Sequence, residues 1–499
     1  MPQALNPFDL TVVLGYLAGT TLLGVWLGRR QRDLKSYFVG DRNVPWVLVL
    51  ISIVATETST VTFLSVPGVA FNPKGGNLTF LQLALGYVLG RVLISGLLLP
   101  FYFRGELFSA YQLLRERFSP AVQRTASGLF LLTRTVADGL RLFLTGLLLQ
   151  TFTGWNLEVS LLVMGLVTIL YTYLGGMQAV IWTDVVQFGV YILGAVTAAA
   201  FIVQRLPGGL ETVYHVGQNA DKFALLNLKP ALTEPYTLWA GLIGGAFFTM
   251  ASHGADQLMV QRYLCSRSLG DARLALVSSG VVVLLQFLLF LLIGVGLYAL
   301  WGTGQLELAE HTRNDEVFGQ FIVRFLPVGV VGLVIAAVLA AAMSTLSSSL
   351  NSSANAFVTD FYRPWRPAGD ERHYLRVSRL LTAFWGVAQM GVALLAHRAA
   401  SDRSVVELVL SVAGFSTGAV LGLFLLGSRP RPVRSAAALT GLVVGFAAVT
   451  AVWLPSTWKS PAALAWPWYA PIGALTTVAV ALVVNRLRFT STPVVSHEP

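Results

Sequence analysis

Residues 47–76 read VLVLISIVATETSTVTFLSVPGVAFNPKGG, and the fold turns on how this stretch is read. It is long and apolar enough to cross a bilayer as a helix, which takes about 20 residues. Its middle suits that role badly. Thr56-Glu57-Thr58-Ser59-Thr60-Val61-Thr62 is polar and β-branched, and Pro67 and Gly68 follow within the same run. Such a segment is a poor continuous helix. An interruption frees backbone carbonyls at membrane depth, which is tolerated only beside protein or a cavity. Glu57 adds an ionisable group within the span. It reads equally well as a functional carboxylate and as a structural one, neutral or paired with Arg91 of the next span.

The rest of the chain supports a membrane reading. Of its 499 residues 55% are hydrophobic and only 12% are charged, against roughly 25% charge in soluble domains. The apolar runs are helix-length, whereas barrel strands would be about 10 residues and alternate. The expectation is an all-α polytopic membrane protein with spans near 8–28, 45–71, 77–103, 125–153, 157–174, 179–204, 236–262, 274–301, 326–358, 378–397, 404–426, 435–455 and 466–485. A single cysteine, Cys265, excludes an internal disulfide. The first apolar run has no basic residue before it and RRQR directly after it. That polarity is opposite to a signal peptide's, so the run is read as a retained span with its N-terminus outside. The segments then facing the cytoplasm carry most of the 34 Lys and Arg. This asymmetry orients the chain, puts the C-terminus in the cytoplasm, and explains a net charge of +10 without nucleic acid. The location implied is the cell membrane. The external loops, 205–235 and 302–325, are too short for a domain, and nothing calls for an obligate protein partner.

A second anomaly lies in AAAMSTLSSSLNSSANAF, residues 340–357, again inside a lipid-length run. On a helix Ala341, Ser344, Thr345 and Ser348 fall within one arc of about 100°, and Ser347 flanks it. Small hydroxylated residues allow close helix packing. They also supply the neutral, hard oxygens that a dehydrated alkali cation needs. In the sixth span Asp184 and Gln187 sit on adjacent turns, and an intramembrane Asp is expensive unless paired, protonated or cation-binding. The seventh span is interrupted by Gly241, Gly244, Gly245 and Gly254. Asp256, Gln257, Gln261 and Arg262 at its inner end read as an interfacial polar network in preference to a substrate contact. Interrupted spans two and seven lie five apart. That spacing points to a five-plus-five inverted repeat with its site at the midplane. The repeats are placed at 45–204 and 236–426, with 8–28 and 435–485 peripheral.

These residues resemble the solute:sodium symporters, the sodium-coupled carriers of proline, sugars, sialate, monocarboxylates, vitamins and iodide. The likeness runs from YFVGDRNVPW through GGMQAVIWTDVVQ and DQLMVQRYL to AAAMSTLSSSLNSSANAFVTDFY. It implies a LeuT-type core. The main sodium site of the family falls on Ala55 and Thr58, then Ala341, Ser344 and Thr345. A second sodium site, present in members similar to the sialate carriers, falls on Asp184, Ser344, Ser347 and Ser348. The implied substrate region holds Glu57, Ser59, Thr62, Gln82, Arg141, Phe247 and Phe248. Ala137 stands where sialate carriers place an arginine. The sequence departs from them there, which leaves sugars, monocarboxylates and other small organic solutes open.

The resemblance implies sodium-driven symport of a small organic solute into the cell, with one or two Na+ as coupling ions. A proton-coupled or uncoupled carrier on the same scaffold, with Glu57 or Asp184 titrating, is the alternative; a membrane sensor ranks lower. An enzyme is not expected, since the histidines have no metal-ligand spacing and no nucleophile–base motif stands out.

Overall fold

The structure, a computed structural model, describes residues 5–28, 33–309, 312–399, 418–458, 460 and 463–487. They form helices and connecting loops, with one isolated backbone bridge between Val44 and Ser266. The helices that frame the site are α1 (Pro7–Gly28), α2 (Trp46–Glu57), α3 (Thr60–Phe71), α4 (Leu81–Leu97), α5 (Pro120–Thr153) and α6 (Leu157–Arg205). They continue with α7 (Gln257–Leu264), α8 (Leu269–Gly302), α9 (Val330–Phe357), α10 (Glu371–Ala399), α11 (Gly418–Gly427), α12 (Ser435–Thr457) and α13 (Tyr469–Leu487). Among the described residues eight helices are long and apolar enough to cross a membrane, and the bent pair α2/α3 makes a ninth.

The other expected spans depart from that simple form for identifiable reasons. The span at 125–153 is the helix α5, made polar by Arg134, Asp138 and Arg141. The spans at 157–174 and 179–204 form one 49-residue run, α6, which turns at Gly176 (φ 58, ψ −159). Only glycine adopts that backbone readily, and a Cβ there would lie 2.7 Å from the Tyr37 carbonyl oxygen. The span at 404–426 lies on described residues only from Gly418 onward.

Span two breaks within its polar middle. α2 ends at Glu57, Thr58 is extended (φ −81, ψ 104), and Ser59 starts α3 as its N-cap. The two halves meet at 67°. Pro67 does not cause the break; it sits inside α3, which runs on to Phe71. Span seven is interrupted as well. Wide π-helical turns at Ala240–Gly244 and Met250–Gly254 flank Gly245–Thr249. The chain then opens at Ala255 and Asp256, and Asp256 caps α7 by accepting from Leu258 N at 2.8 Å. Gly241 has no room for a side chain: a Cβ would stand 2.6 Å from the Gln82 backbone.

Two ends of this core are tied down by groups that periodicity does not reveal. Asp9 of α1 is buried and accepts from the Gly329 and Gly332 amides, each at 2.7 Å, so a carboxylate caps the N-terminus of α9. Lys222, in the loop after α6, donates to the Phe71 and Asn72 carbonyls at 3.2 and 2.7 Å and lies 4.0 Å over the Tyr298 ring. It closes the C-terminus of α3. Burial pushes the Lys222 ammonium down to about 8 from an ordinary 10.5. Between those values the unfolded chain binds more protons than the native one, so this group makes stability rise with pH across that window. The wild type is therefore expected to gain thermal stability relative to Lys222→Met between about pH 7.5 and pH 10. Melting curves of both proteins at the two values check this, and an unchanged difference counts against it.

Candidate functional site

Where α2 stops, its last carbonyls lose their helical partners, because the extended backbone at Thr58 carries the following amides away. α9 supplies replacements. The Ser344 hydroxyl donates to the Ala55 carbonyl at 2.7 Å, and the Thr345 hydroxyl donates to the Thr56 carbonyl at 2.9 Å. Both hydroxyls also lie near the Ala341 carbonyl, at 3.2 and 3.4 Å. The structure thus brings Ala55, Ala341, Ser344 and Thr345 together at the break. Thr58 stands at the same break with its hydroxyl turned elsewhere. It donates to Val54 O at 2.9 Å and receives Gln286 Nε2 at 2.6 Å. The second α2 carbonyl facing α9 is that of Thr56, which sequence reasoning passed over.

This oxygen set fits a sodium ion chemically. It consists of backbone carbonyls and hydroxyls, hard and neutral. A hydroxyl that donates to a carbonyl keeps lone pairs that can turn to a cation. Among the described residues no group of three His, Cys, Asp or Glu is placed to hold a metal ion.

The residues expected to form a second sodium site have a different neighbour. Arg262, at the inner end of span seven, is buried and reaches between α2, α6 and α9. Its guanidinium pairs with Asp184 at 3.2 Å and bonds to the hydroxyls of Thr56 and Ser348. It also donates to the Ser52 hydroxyl at 2.9 Å and to Leu258 O at 2.6 Å. Asp184 additionally accepts from Ser52 Oγ at 2.5 Å. Ser347 and Ser348 donate back to Ser344 O, at 3.2 and 2.7 Å. The interfacial reading of Arg262 is therefore corrected: it is a core residue. Its signal in the sequence was charge balance, since a lone acid in span six needs a cation and Arg262 was available.

Beside the break lies a cavity of about 210 Å³, lined by Glu57, Ser59, Thr62, Arg141, Phe248 and Thr345 among others. Ala137 also faces it. Two of the expected substrate residues are absent from its wall. Gln82 is buried and fully used in holding the external loop, donating to Thr79 O and Tyr236 O and accepting from Asn227 N. Phe247 packs against the apolar cluster that includes Ile94, Leu98 and Met250. The charges around the cavity are matched. Glu57 pairs with Arg91, which also bonds Ser279 at 3.1 Å, and His253 Nε2 lies 3.5 Å from Glu57. Arg134 pairs with Asp256, and Arg141 bonds Asp138 at 2.7 Å. Phe248 stacks on Tyr87 at 5.9 Å and meets Trp466 edge-on at 5.7 Å, giving the cavity an aromatic wall.

Comparison with known proteins agrees with this arrangement. A sequence model of the sodium:solute symporter family matches residues 37–445. A sodium/sialic acid symporter of Aliivibrio fischeri is 28% identical over 479 residues, 96% of this chain and 93% of that protein. The human sodium/iodide cotransporter is 30% identical over 461 residues, 91% of this chain and 71% of that protein. Among solved structures, the substrate-bound, outward-open state of a Na+-coupled sialic acid symporter superposes with a TM-score of 0.86 at 28% identity, covering 97% of this chain and 98% of that one.

Proposed function

The chain belongs to the sodium:solute symporter family, and on that premise we propose that its sodium ion binds where α2 breaks against α9. The protein is a sodium-coupled secondary transporter of a small solute, not an enzyme, built as a LeuT-type bundle in the membrane. The ion's oxygens are the carbonyls of Ala55, Thr56 and Ala341 with the hydroxyls of Ser344 and Thr345; the Thr58 carbonyl at the break completes the set. One observation carries this placement: both hydroxyls of α9 rest on the carbonyls that the break frees.

A sodium ion there cross-links α2 to α9. Its affinity depends on the spacing of those helices, so it differs between outward-open and inward-open states. That difference is what coupling requires. The entering charge adds an electrical drive of about 2.3 kcal/mol per 100 mV. The solute occupies the cavity beside the ion. Thr345 serves both, because its hydroxyl meets the Thr56 carbonyl while the residue lines the cavity. Ser59, Thr62 and the partly exposed Arg141 offer polar contacts, and the Tyr87–Phe248 wall offers an apolar face. A small organic solute with both characters fits. With Ala137 at the cavity wall, the solute need not be a sialic acid, which is what two of the relatives carry by name.

In the proposed orientation the N-terminus is outside, the C-terminus is cytoplasmic, and the membrane is the cell's own. The inverted repeats comprise residues 45–204 and 236–426. The purified protein is expected to melt higher in sodium than in choline, and higher still when a transported solute is added, because ligands of the native state stabilise it by mass action. A screen of small organic solutes that gives equal shifts in both salts would count against sodium coupling at this site. A shift that follows pH and ignores sodium would favour a proton-coupled carrier.

A further inference from the structure

We propose that Arg262 is the cytoplasmic cation gate of the sodium pathway, a fixed guanidinium that blocks inward escape of the ion until the inner half of span seven moves. The inference rests on the placement of sodium at the α2/α9 break. Ser344 and Thr345 meet α2 at Ala55 and Thr56. Arg262 makes bonds one turn away on both helices, at Ser348 on α9 and at Ser52 on α2, and a further one to the hydroxyl of Thr56 at the site itself. One turn beyond Ser344 on α9 is toward its C-terminus, and one turn before Thr56 on α2 is toward its N-terminus. Both directions lead to the end of the molecule that holds Arg267 and Arg363, cytoplasmic in the proposed orientation. An ion leaving the break inward therefore meets Arg262 next.

Three features suit the residue to this task. Guanidinium stays charged at any physiological pH, so the barrier does not titrate away. Its neighbours include one carboxylate, Asp184, which makes a buried cation tolerable and gives the closed gate a fixed geometry. The other carboxylate oxygen, Asp184 Oδ1, is buried and accepts no hydrogen bond. It is available to a sodium ion when the guanidinium withdraws. Arg262 and such an ion share one negative charge, so they occupy the neighbourhood of Asp184 in turn and not together. The residue also sits on a separate piece of the span: Arg262 belongs to α7, which a break at Ala255 and Asp256 separates from the outer half, so the proposed withdrawal needs no bending of a continuous helix.

The test uses sodium alone, so it does not wait on the solute. Full-length protein in liposomes is given labelled sodium under an inside-negative potential, with no organic solute present. Arg262→Gln is expected to raise sodium influx about tenfold or more over the wild type, the factor that a modest loss of barrier gives. Arg262→Lys, which keeps the charge but not the fork of donors, is expected to leak several-fold less than Arg262→Gln. Thr56→Val, of similar shape but lacking one anchoring hydroxyl, is expected to fall between them. Influx through Arg262→Gln at the wild-type rate overturns the proposal, as does equal leakage through the Lys and Gln variants. Should Arg262→Gln fail to fold, Thr56→Val decides: wild-type influx there overturns the gate, and raised influx supports it. A misplaced sodium site would show itself separately, as an unchanged sodium requirement when Ser344 and Thr345 are altered.

Discussion

Replacing Ser344 and Thr345 together by Ala is expected to abolish sodium-driven uptake at ordinary sodium concentrations. Each hydroxyl offers the ion one oxygen in a region with no water to replace it. A contact between a polar group and a charge contributes about 1.5–3 kcal/mol, so losing two removes roughly 3–6 kcal/mol, on the order of 10²- to 10⁴-fold in sodium affinity. The change also leaves the Ala55 and Thr56 carbonyls without the hydroxyls that reach them in the structure. Some loss of thermal stability is therefore expected as well, about 1–3 kcal/mol for each unsatisfied group. The two effects separate by salt. A purely structural defect lowers the amount of folded protein equally in sodium and choline, whereas loss of the ion site abolishes the stabilisation that sodium alone provides. Thr345→Ser, which keeps the hydroxyl, is expected to retain uptake with a small change in half-saturation. Initial rates of uptake against sodium concentration in liposomes measure all of this. A double variant with wild-type half-saturation would remove the ion from this position.

How far the sequence carried the argument depended on whether the signal was local. The break at Thr58 was legible because polar β-branched residues and an ionisable Glu57 interrupt an apolar run, and that incompatibility needs no knowledge of neighbours. The hydroxyl face of α9 was legible for the same reason, through helical periodicity. Its meeting with Ala55 depends on which helices pack together, and it entered only through family resemblance. Pro67 shows the opposite case. Its local rule says that it ends a helix, yet α3 carries it inside because surrounding helices hold the turn in place. Buried ion pairs were the least legible feature. Arg262 and Asp184 lie 78 residues apart, and no periodicity links them. Gln82 misses the cavity because its amide is taken by the backbone of the external loop, at Tyr236 and Asn227, which no local pattern reveals, and Phe247 misses it because one residue along a helix redirects a side chain by about 100°. Phe248 faces the aromatic wall, so its neighbour cannot.

Arg91→Met is expected to destabilise the protein more than any other single change at the cavity, by about 3–5 kcal/mol, the loss that follows when one partner of a buried ion pair is removed. Arg91 is fully buried on α4 and faces Glu57, whose side chain is 15% exposed to the cavity. Removing the guanidinium strands that carboxylate beside His253 with no arginine to answer it. Glu57→Gln alone strands the charge of Arg91 instead. The double change Glu57→Gln with Arg91→Met removes both charges, and most of the lost stability is expected to return, since replacing a whole buried pair is often close to neutral. Uptake by the double variant then decides between the two readings of Glu57 that the sequence left balanced. If the carboxylate serves only to compensate Arg91, the rescued protein transports at near wild-type rates. If Glu57 contacts the solute, the rescued protein melts normally, still gains stability from sodium, and no longer transports. Its place in the cavity wall favours the second result. Thermal unfolding with uptake for the two single variants and the double variant completes the cycle. A double variant as unstable as Arg91→Met would mean that the pair is not the unit that holds α2 to α4.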